Sequence, residues 1–583
     1  MNGGTLLVIA VVQLAMTAAP GVAAALLSVK LGVRSVPVLL GIALAGSGVA
    51  AMLTFWVYYY VPHAGGLCAY AVLFGSIALT VWVWPAVSGH RDLLRKLSVP
   101  LGLWVLASLF ILFFGFLHGH IEDIQVPQYR FSTQPSLFAS DNLIPWFFSD
   151  WMFKGGPGSP PIFEPGWLLS DRPPLQIGYV LTQRIFGWDE RMTHYEVIGV
   201  VLQQFWVIGM WALLIAARVS RRTRALAMVA TLVSDVVLMN GFFVWPKLLG
   251  ASFVLAGLAL VAVPGQSTLR SHPLTVVLLG VLAGLAYLSH GTSVFGLIPL
   301  AAIALWKGLP SWRWLAAGAA AISLLVLPWI AFQHYENPPG DRLLKWQLAG
   351  VPSPDDERGT VEALLDEYGR EGVGGTLENK LQNFLTMVGG NPLDRPPEEG
   401  HPFGDVGTEY ADAFNATAEG NFAEAVSKVR EVRYWHLLWT LGILIFALPV
   451  IAAGRMRGHS RDGPDWRFAR FCLVVCGIGA LAWGLLLFGN EVGRTIVIAG
   501  SMALPLLAMV GVVAGLRATY PRLVNWFVGA NVVTVLILYL PKLAPVTDNH
   551  ISGFAALAAL ASLAGFVKLA FSARSLVIAC SPS

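Results

Sequence analysis

Charge is what this chain has least of. Only 12% of its 583 residues are Asp, Glu, Lys or Arg, while 56% are hydrophobic; soluble domains carry charge at roughly a quarter of positions. That shortage excludes a soluble globular enzyme, and a mean hydropathy of +0.65 puts the chain among polytopic membrane proteins. The net charge of +4 is concentrated in short connections between apolar runs, so it reports topology and gives no sign of nucleic-acid binding. Cysteine is scarce too. Cys68, Cys472, Cys476 and Cys580 fall in or beside apolar runs, which excludes a disulfide framework and a zinc spacing. Cys472 and Cys476 stand four apart on one predicted helix, a spacing that suits packing. No glycine-rich phosphate loop occurs, so nothing suggests a nucleotide-sugar site. The apolar run from Leu6 has no basic stretch before it and reads as a first membrane helix, not a cleaved signal.

What is present is a series of apolar runs. A stretch of about twenty such residues crosses a hydrocarbon core of about 30 Å. They start near Leu6, Pro37, Gly66 and Pro100, then near Glu196, Ala225, Leu248, Leu274, Thr292 and Leu315, and finally near Trp435, Phe471, Val492, Val524 and Ile551. The expectation is an all-α polytopic membrane protein of about fifteen transmembrane helices. It divides into four N-terminal spans (1–118), a first long loop (119–194), central spans (195–333), an acidic loop (334–433) and C-terminal spans (434–583).

Orientation follows from lysine and arginine. The connections holding Lys30 and Arg34, then Arg91, Arg95 and Lys96, then Arg218 to Arg224, Arg270, Lys307 and Arg313 alternate in step. Those holding Arg455 to Arg470, Arg517 and Arg522, and Arg574 continue the alternation. By the positive-inside rule all of them face the cytoplasm. The N-terminus is then outside, the C-terminus inside, and both long loops are extracytoplasmic. The loop from His334 to Arg433 holds nineteen acids against nine lysines and arginines, too acidic to lie flat on anionic lipid. Glu362–Tyr368 and Phe422–Val432 read as amphipathic helices around a Gly/Pro-rich middle, making a small helical cap.

The candidate chemistry lies in the first long loop. Asp141 precedes Pro145-Trp146-Phe147-Phe148-Ser149-Asp150-Trp151, an aromatic run that reads as an interfacial helix. That sets a carboxylate at head-group depth, where it can act as a base toward a hydroxyl; Asp141-Asn142 also suits capping of a helix at Leu143. Asp123 is the reserve candidate for the base. His118, His120 and Glu122 would offer ligands to a divalent cation, with a spacing that matches no strong metal signature. No other cofactor is called for.

Cations on the outer side are few, so each invites an explanation. In Ser170-Asp171-Arg172-Pro173-Pro174, two prolines hold an extended entry to the next helix, aiming Arg172 at a phosphate or at Asp171. Lys247 and Arg494 sit where the chain re-enters the membrane, with Glu491 one turn before Arg494. Arg342 and Lys345 share one helical face. Arginine matches phosphate oxygens in a two-pronged fashion, while snorkelling to head groups is the plain alternative. Asp235 is an acid near mid-bilayer, functional or paired by default. His290, beside a helix break at Gly291, is either a donor-site ligand or a core histidine.

This layout resembles the GT-C superfamily of integral-membrane glycosyltransferases that use polyprenyl-phosphate sugars. The resemblance covers the arrangement from about Leu101 to Arg494, with three additional spans before the loop-bearing one. It implies Asp141 in the place of the base and Arg494 or Lys247 in that of a donor-phosphate ligand; Arg172 and Arg342 are further candidates for the phosphate, and Asn142, Trp146, Asp171, His290 and Glu491 for the sugar and acceptor pocket. The implied activity is inverting transfer of one sugar from a polyprenyl-phosphate donor to a cell-envelope glycan, lipid or protein, in the bacterial cytoplasmic membrane. A transporter or flippase of lipid-linked glycans, and a polymerase using a diphosphate carrier, are the alternatives.

Overall fold

The computed structural model describes residues 2–119, 140–156, 160–163, 166–186, 192–262, 273–308, 310–351, 356–389, 406–458, 462–489, 502–540, 543 and 551–573. Among these residues the protein is helical throughout, with no strand. The chain opens with α1 (Gly3–Lys30), α2 (Val36–Tyr60), α3 (Pro62–Val87) and α4 (Arg91–Gly115). The first loop contributes α5 (Ile144–Phe153) and α6 (Leu175–Gln183). Next come α7 (Met192–Gln203), α8 (Trp206–Ala216), α9 (Arg221–Leu232), α10 (Asp235–Phe242) and α11 (Lys247–Ala262). They are followed by α12 (Pro273–Ser289), α13 (Val294–Trp306) and α14 (Trp312–Ala331). The acidic segment forms α15 (Arg342–Ala349), α16 (Thr360–Val388), α17 (Val406–Ala418) and α18 (Phe422–Trp435). The last helices are α19 (Ala447–Met456), α20 (Pro464–Leu486), α21 (Ala503–Thr519), α22 (Leu523–Tyr539) and α23 (Ser552–Ser572).

Nine helical stretches among the described residues are long and apolar enough to cross a membrane, or ten if α9 and α10, bent by 55° at their break, form one. The sequence suggests about fifteen spans. The difference is one of continuity: α11, α12, α13, α21 and α22 are apolar but only 10–17 residues long. The apolar stretch after Leu274, for example, is cut at His290 by a short 3₁₀ turn over Gly291–Ser293. Of the two amphipathic helices expected in the acidic segment, the first grows into the long α16, which continues through a non-helical Gly372 at φ +64°.

The two ends of the bundle differ. At one, Lys30 stacks on Trp82 and Arg34 reaches His90; Ser220 and Thr223 donate to Asp465, Arg221 donates to the Phe571 carbonyl, and Arg455 stacks on Trp466. The basic connections thus gather at this end. The other end carries the acidic helices, where Asn379 donates to the Gly489 carbonyl and Trp439 to that of Val388.

Small residues set the tightest contacts, as expected where lipid removes the hydrophobic drive between helices. A Cβ at Gly21 of α1 would lie 2.2 Å from the Ala43 carbonyl oxygen of α2, and one at Gly178 of α6 would lie 2.2 Å from that of Ala51. Hydrogen bonds reinforce the same seam: Ser47 donates to the Thr17 carbonyl at 2.9 Å and Tyr179 to Ser47 at 3.0 Å.

Candidate functional site

The site is built around the turn that joins α10 to α11. Val244 has φ +53°, a left-handed conformation that a β-branched residue adopts only when its surroundings impose it. Those surroundings are specific. Asn142 donates its amide to the Phe243 carbonyl at 3.1 Å, and Gln176 donates to the Val244 carbonyl at 3.2 Å. Gln176 also donates to the Tyr195 hydroxyl at 3.1 Å, and that hydroxyl donates to the Asn142 carbonyl. Gly199 leaves room for the bend, because a Cβ there would meet the Val244 Cβ at 2.5 Å. Gln203 then accepts from the Leu248 and Leu249 amides, both at 3.1 Å, satisfying donors of the first turn of α11. Backbone held in this way stores about 1–3 kcal/mol and is found mostly at functional positions.

The turn delivers Trp245 and Lys247. The Lys247 ammonium is buried and lies 3.3 Å over the Trp245 ring. Its helix packs against the break after α12, where a Cβ at Gly250 would stand 2.3 Å from the Ser293 hydroxyl. His290 occupies that break and is buried. Its Nδ1 accepts from the Thr292 amide at 3.3 Å, so the ring is neutral and its proton sits on Nε2. Both Lys247 and Arg172 act on this imidazole electrostatically. The segments at 172, 247 and 290 are therefore near enough to interact electrostatically.

Arg172 comes from the extended entry to α6, with φ −122° and ψ 121°. Its guanidinium lies 4.6 Å over the Trp167 ring, and that of Arg342 lies 5.2 Å over the same indole. Asp171 pairs with Arg342, not with Arg172, and its Oδ2 accepts from the Leu168 amide at 2.7 Å. Burial pushes the Asp171 carboxyl up, while Arg342, the Leu168 N–H and Arg172 pull it back. Asn337 and Gln333 clamp both backbone groups of Ser170, each at 2.8 Å. Lys345 shares the inward face with Arg342, but its ammonium donates to the carbonyls of Asp356 and Arg358 at 2.6 and 3.0 Å.

Of the residues singled out in the sequence, Asn142, Asp171, Arg172, Lys247, His290 and Arg342 thus belong to this end of the bundle and to two adjoining networks. Trp146 is on α5 and packs against the apolar core. Asp141 has its backbone in the 3₁₀ turn Ser140–Leu143; its side chain, together with Asp123, His120, Glu122, Glu491 and Arg494, lies outside the described residues. Leu143 occupies the cap position of α5 and the Asn142 amide donates to Phe243; the capping role expected of the Asp141 side chain lies outside the described residues. His118 closes α4 with Nδ1 3.0 Å from the Phe114 carbonyl and Nε2 3.2 Å from that of Tyr539, contacts that hold a helix end. Among the described residues no three His, Cys, Asp or Glu side chains converge as a metal site would require. Gln176, Tyr195, Gln203 and Trp245 escaped the sequence reading; polar residues inside apolar runs were the signal.

A second polar cluster lies where α10, α18 and α22 meet. Asp235 pairs with Arg433 Nε at 2.7 Å, and Arg433 also donates to Asn531 at 3.4 Å. Tyr434 donates to Asn240 at 3.1 Å. Arg430 is 0% exposed and stacks 3.9 Å over the Tyr539 ring. Comparison of the chain with protein-family models, with characterised proteins and with solved structures finds no match.

Proposed function

We propose that the protein is an inverting glycosyltransferase that moves a sugar from a polyprenyl-phosphate donor to a cell-envelope acceptor. The observation that carries this reading is the strained, side-chain-clamped turn at Val244 that buries Lys247 over Trp245, with Arg172 and Lys247 both acting electrostatically on His290. A guanidinium and an amine at one end of an apolar bundle are the groups that hold and stabilise a donor phosphate. On the positive-inside rule the basic end is cytoplasmic and the site extracytoplasmic, with the N-terminus outside and the C-terminus inside the bacterial cytoplasmic membrane. About fifteen spans belong to the same reading, which needs the bent pair and the five shorter helices to cross.

In the reaction, Asp141 takes the proton of the acceptor hydroxyl as its oxygen attacks the anomeric carbon. The bond from that carbon to the phosphate oxygen breaks, and its electron pair leaves with the phosphate. Lys247 and Arg172 stabilise the charge that builds there. Trp245 and Trp167 offer ring faces for the sugar. A neutral His290 with its proton on Nε2 donates a hydrogen bond without adding charge.

A second reading, a transporter of lipid-linked glycans, is favoured by the 55° break before Asp235, since broken helices frame ion sites in transporters. Sugar transfer from a synthetic polyprenyl-phosphate donor in detergent separates the two, because only a transporter needs compartments. Asp141→Asn should abolish transfer while donor binding persists; Lys247→Met should weaken donor binding about 10- to 100-fold. Full activity in both variants would overturn the assignment.

A further inference from the structure

The second half of α16 is built inside out. Beyond the bend at Gly372, the side chains of Val373, Leu377, Leu381 and Val388 are each between 52% and 80% exposed. At about 100° per residue these four share an arc of about 80°. The buried face is polar instead. Asn379 and Asn383, one turn apart, are both buried, whereas a helix covering a soluble core turns its leucines inward and its asparagines to water.

The asparagines have a definite task. Asn379 donates to the Gly489 carbonyl at 3.0 Å and accepts from the Gly489 amide at 2.7 Å. Asn383 donates to the carbonyls of Gly484 and Leu487 at 3.1 and 2.9 Å, and Lys380 donates to that of Leu487 as well. These are carbonyls that the end of α20 leaves without helical donors. Helix α16 is thereby pinned at the acidic end of α20, a stretch long and apolar enough to cross a membrane.

The apolar stripe continues a face that a membrane-crossing helix turns to lipid. Phe384 lies in the same arc, and a Cβ at Gly484 would stand 2.4 Å from its ring. Gly484 follows Leu481 by three residues and Leu473 by eleven, so at helical spacing it shares their face. Both leucines are exposed. The exposed residues of α20 and of α16 thus adjoin across Phe384. Charge agrees with this placement: Val373–Val388 holds one acid, Glu378, and one base, Lys380, while Glu362, Asp366, Glu367 and Glu371 all precede the bend.

We propose that Val373–Val388 lies in the lipid boundary at the acidic end of the bundle, with its stripe against acyl chains and its asparagines against α20. The partner of this face is the bilayer itself, and the acidic segment is only in part an aqueous cap. A stretch without net charge enters lipid by burying apolar area, not by attraction to headgroups, so headgroup charge has little effect on it. The placement requires that the bundle cross a membrane, not that it transfer sugar.

The test uses the full chain in nanodiscs of phosphatidylcholine, with and without phosphatidylglycerol. A nitroxide is attached in turn to Leu377→Cys, Leu381→Cys and Asp366→Cys, in a background with Cys68, Cys472, Cys476 and Cys580 replaced by Ala. Collisions with oxygen, which concentrates in lipid, should exceed those with aqueous nickel ethylenediaminediacetate severalfold at 377 and 381, with the order reversed at 366, in both compositions. Photo-cross-linking of the unsubstituted protein to phosphatidylcholine bearing an acyl-chain diazirine covers the case in which the cysteine-free background does not fold. Its adducts should map to Val373–Val388 and not to the acidic half of the helix. More frequent collision with the nickel complex at 377 and 381, or adducts confined to other segments, would put the stripe in water and overturn the inference. Labels reached by neither reagent overturn it too, because a protein surface, such as a second copy of the chain, then covers the stripe. A requirement for phosphatidylglycerol overturns it as well, since headgroup attraction would then hold the helix. Sugar transfer enters none of these outcomes, so failure here is distinguishable from failure of the transferase assignment.

Discussion

The side-chain amide of Asn142 spans 101 residues of sequence to hold the backbone carbonyl of Phe243. The first long loop is thereby tied to the turn that carries Lys247. Replacing Asn142 with Ala leaves that buried carbonyl without its donor, at a cost of about 1–3 kcal/mol. We expect a lower unfolding temperature in detergent together with weaker affinity for a polyprenyl phosphate, because Lys247 loses its registration. Affinity unchanged despite a lowered Tm would show that the clamp serves packing alone.

The ion pair between Asp235 and Arg433 makes a second prediction. Asp235→Asn leaves the buried Arg433 guanidinium without the carboxylate it engages at 2.7 Å. Breaking a buried pair in this way costs about 3–5 kcal/mol. The double variant Asp235→Asn with Arg433→Met should recover much of that loss. A double-mutant cycle that is additive, with no coupling between the two positions, would contradict the pairing.

Lys380, on α16, gives the protein a pH response. Burial pushes its ammonium down to about 8 from 10.5, even though it contacts the Tyr368 hydroxyl and donates to the Leu487 carbonyl. The folded state thus binds this proton less readily than the unfolded chain does. The resulting destabilisation is fully present below about 8 and fades as pH rises toward 10.5, so wild-type stability relative to Lys380→Met should climb across that window. Denaturation midpoints recorded through it check the slope; parallel curves for the two proteins would refute it.

The helical architecture was legible because it is local. Apolar runs announce helices wherever lipid or packing covers them, and the clustering of arginines in alternate connections foretold the basic end of the bundle. The proline pair at 173 and 174 and the break at Gly291 also read correctly as interruptions. Partnerships were not legible. Asp171 pairs with Arg342, 171 residues away, although Arg172 adjoins it in sequence, and no periodicity reports such a choice. Arg430 and Arg433 close an acidic, water-loving segment, so composition argues for exposure; the turn of α18 into the bundle buries them both. The strain at Val244 was equally hidden, since nothing in Phe-Val-Trp-Pro demands a left-handed residue until Gly199, Gln176 and Asn142 surround it.

The glycine contacts of the first helices bear on how the protein moves. With Gly21 pressed on Ala43 and Gly178 on Ala51, the helices α1, α2 and α6 approach backbone to backbone as one closely packed block, with no room for a side chain at either contact. Gln176 belongs to that block and grips Val244, so the Lys247 turn is anchored to it as well. On the transferase reading proposed above, any widening that admits a long prenyl chain then falls to the neighbouring elements, among them the interruption at His290.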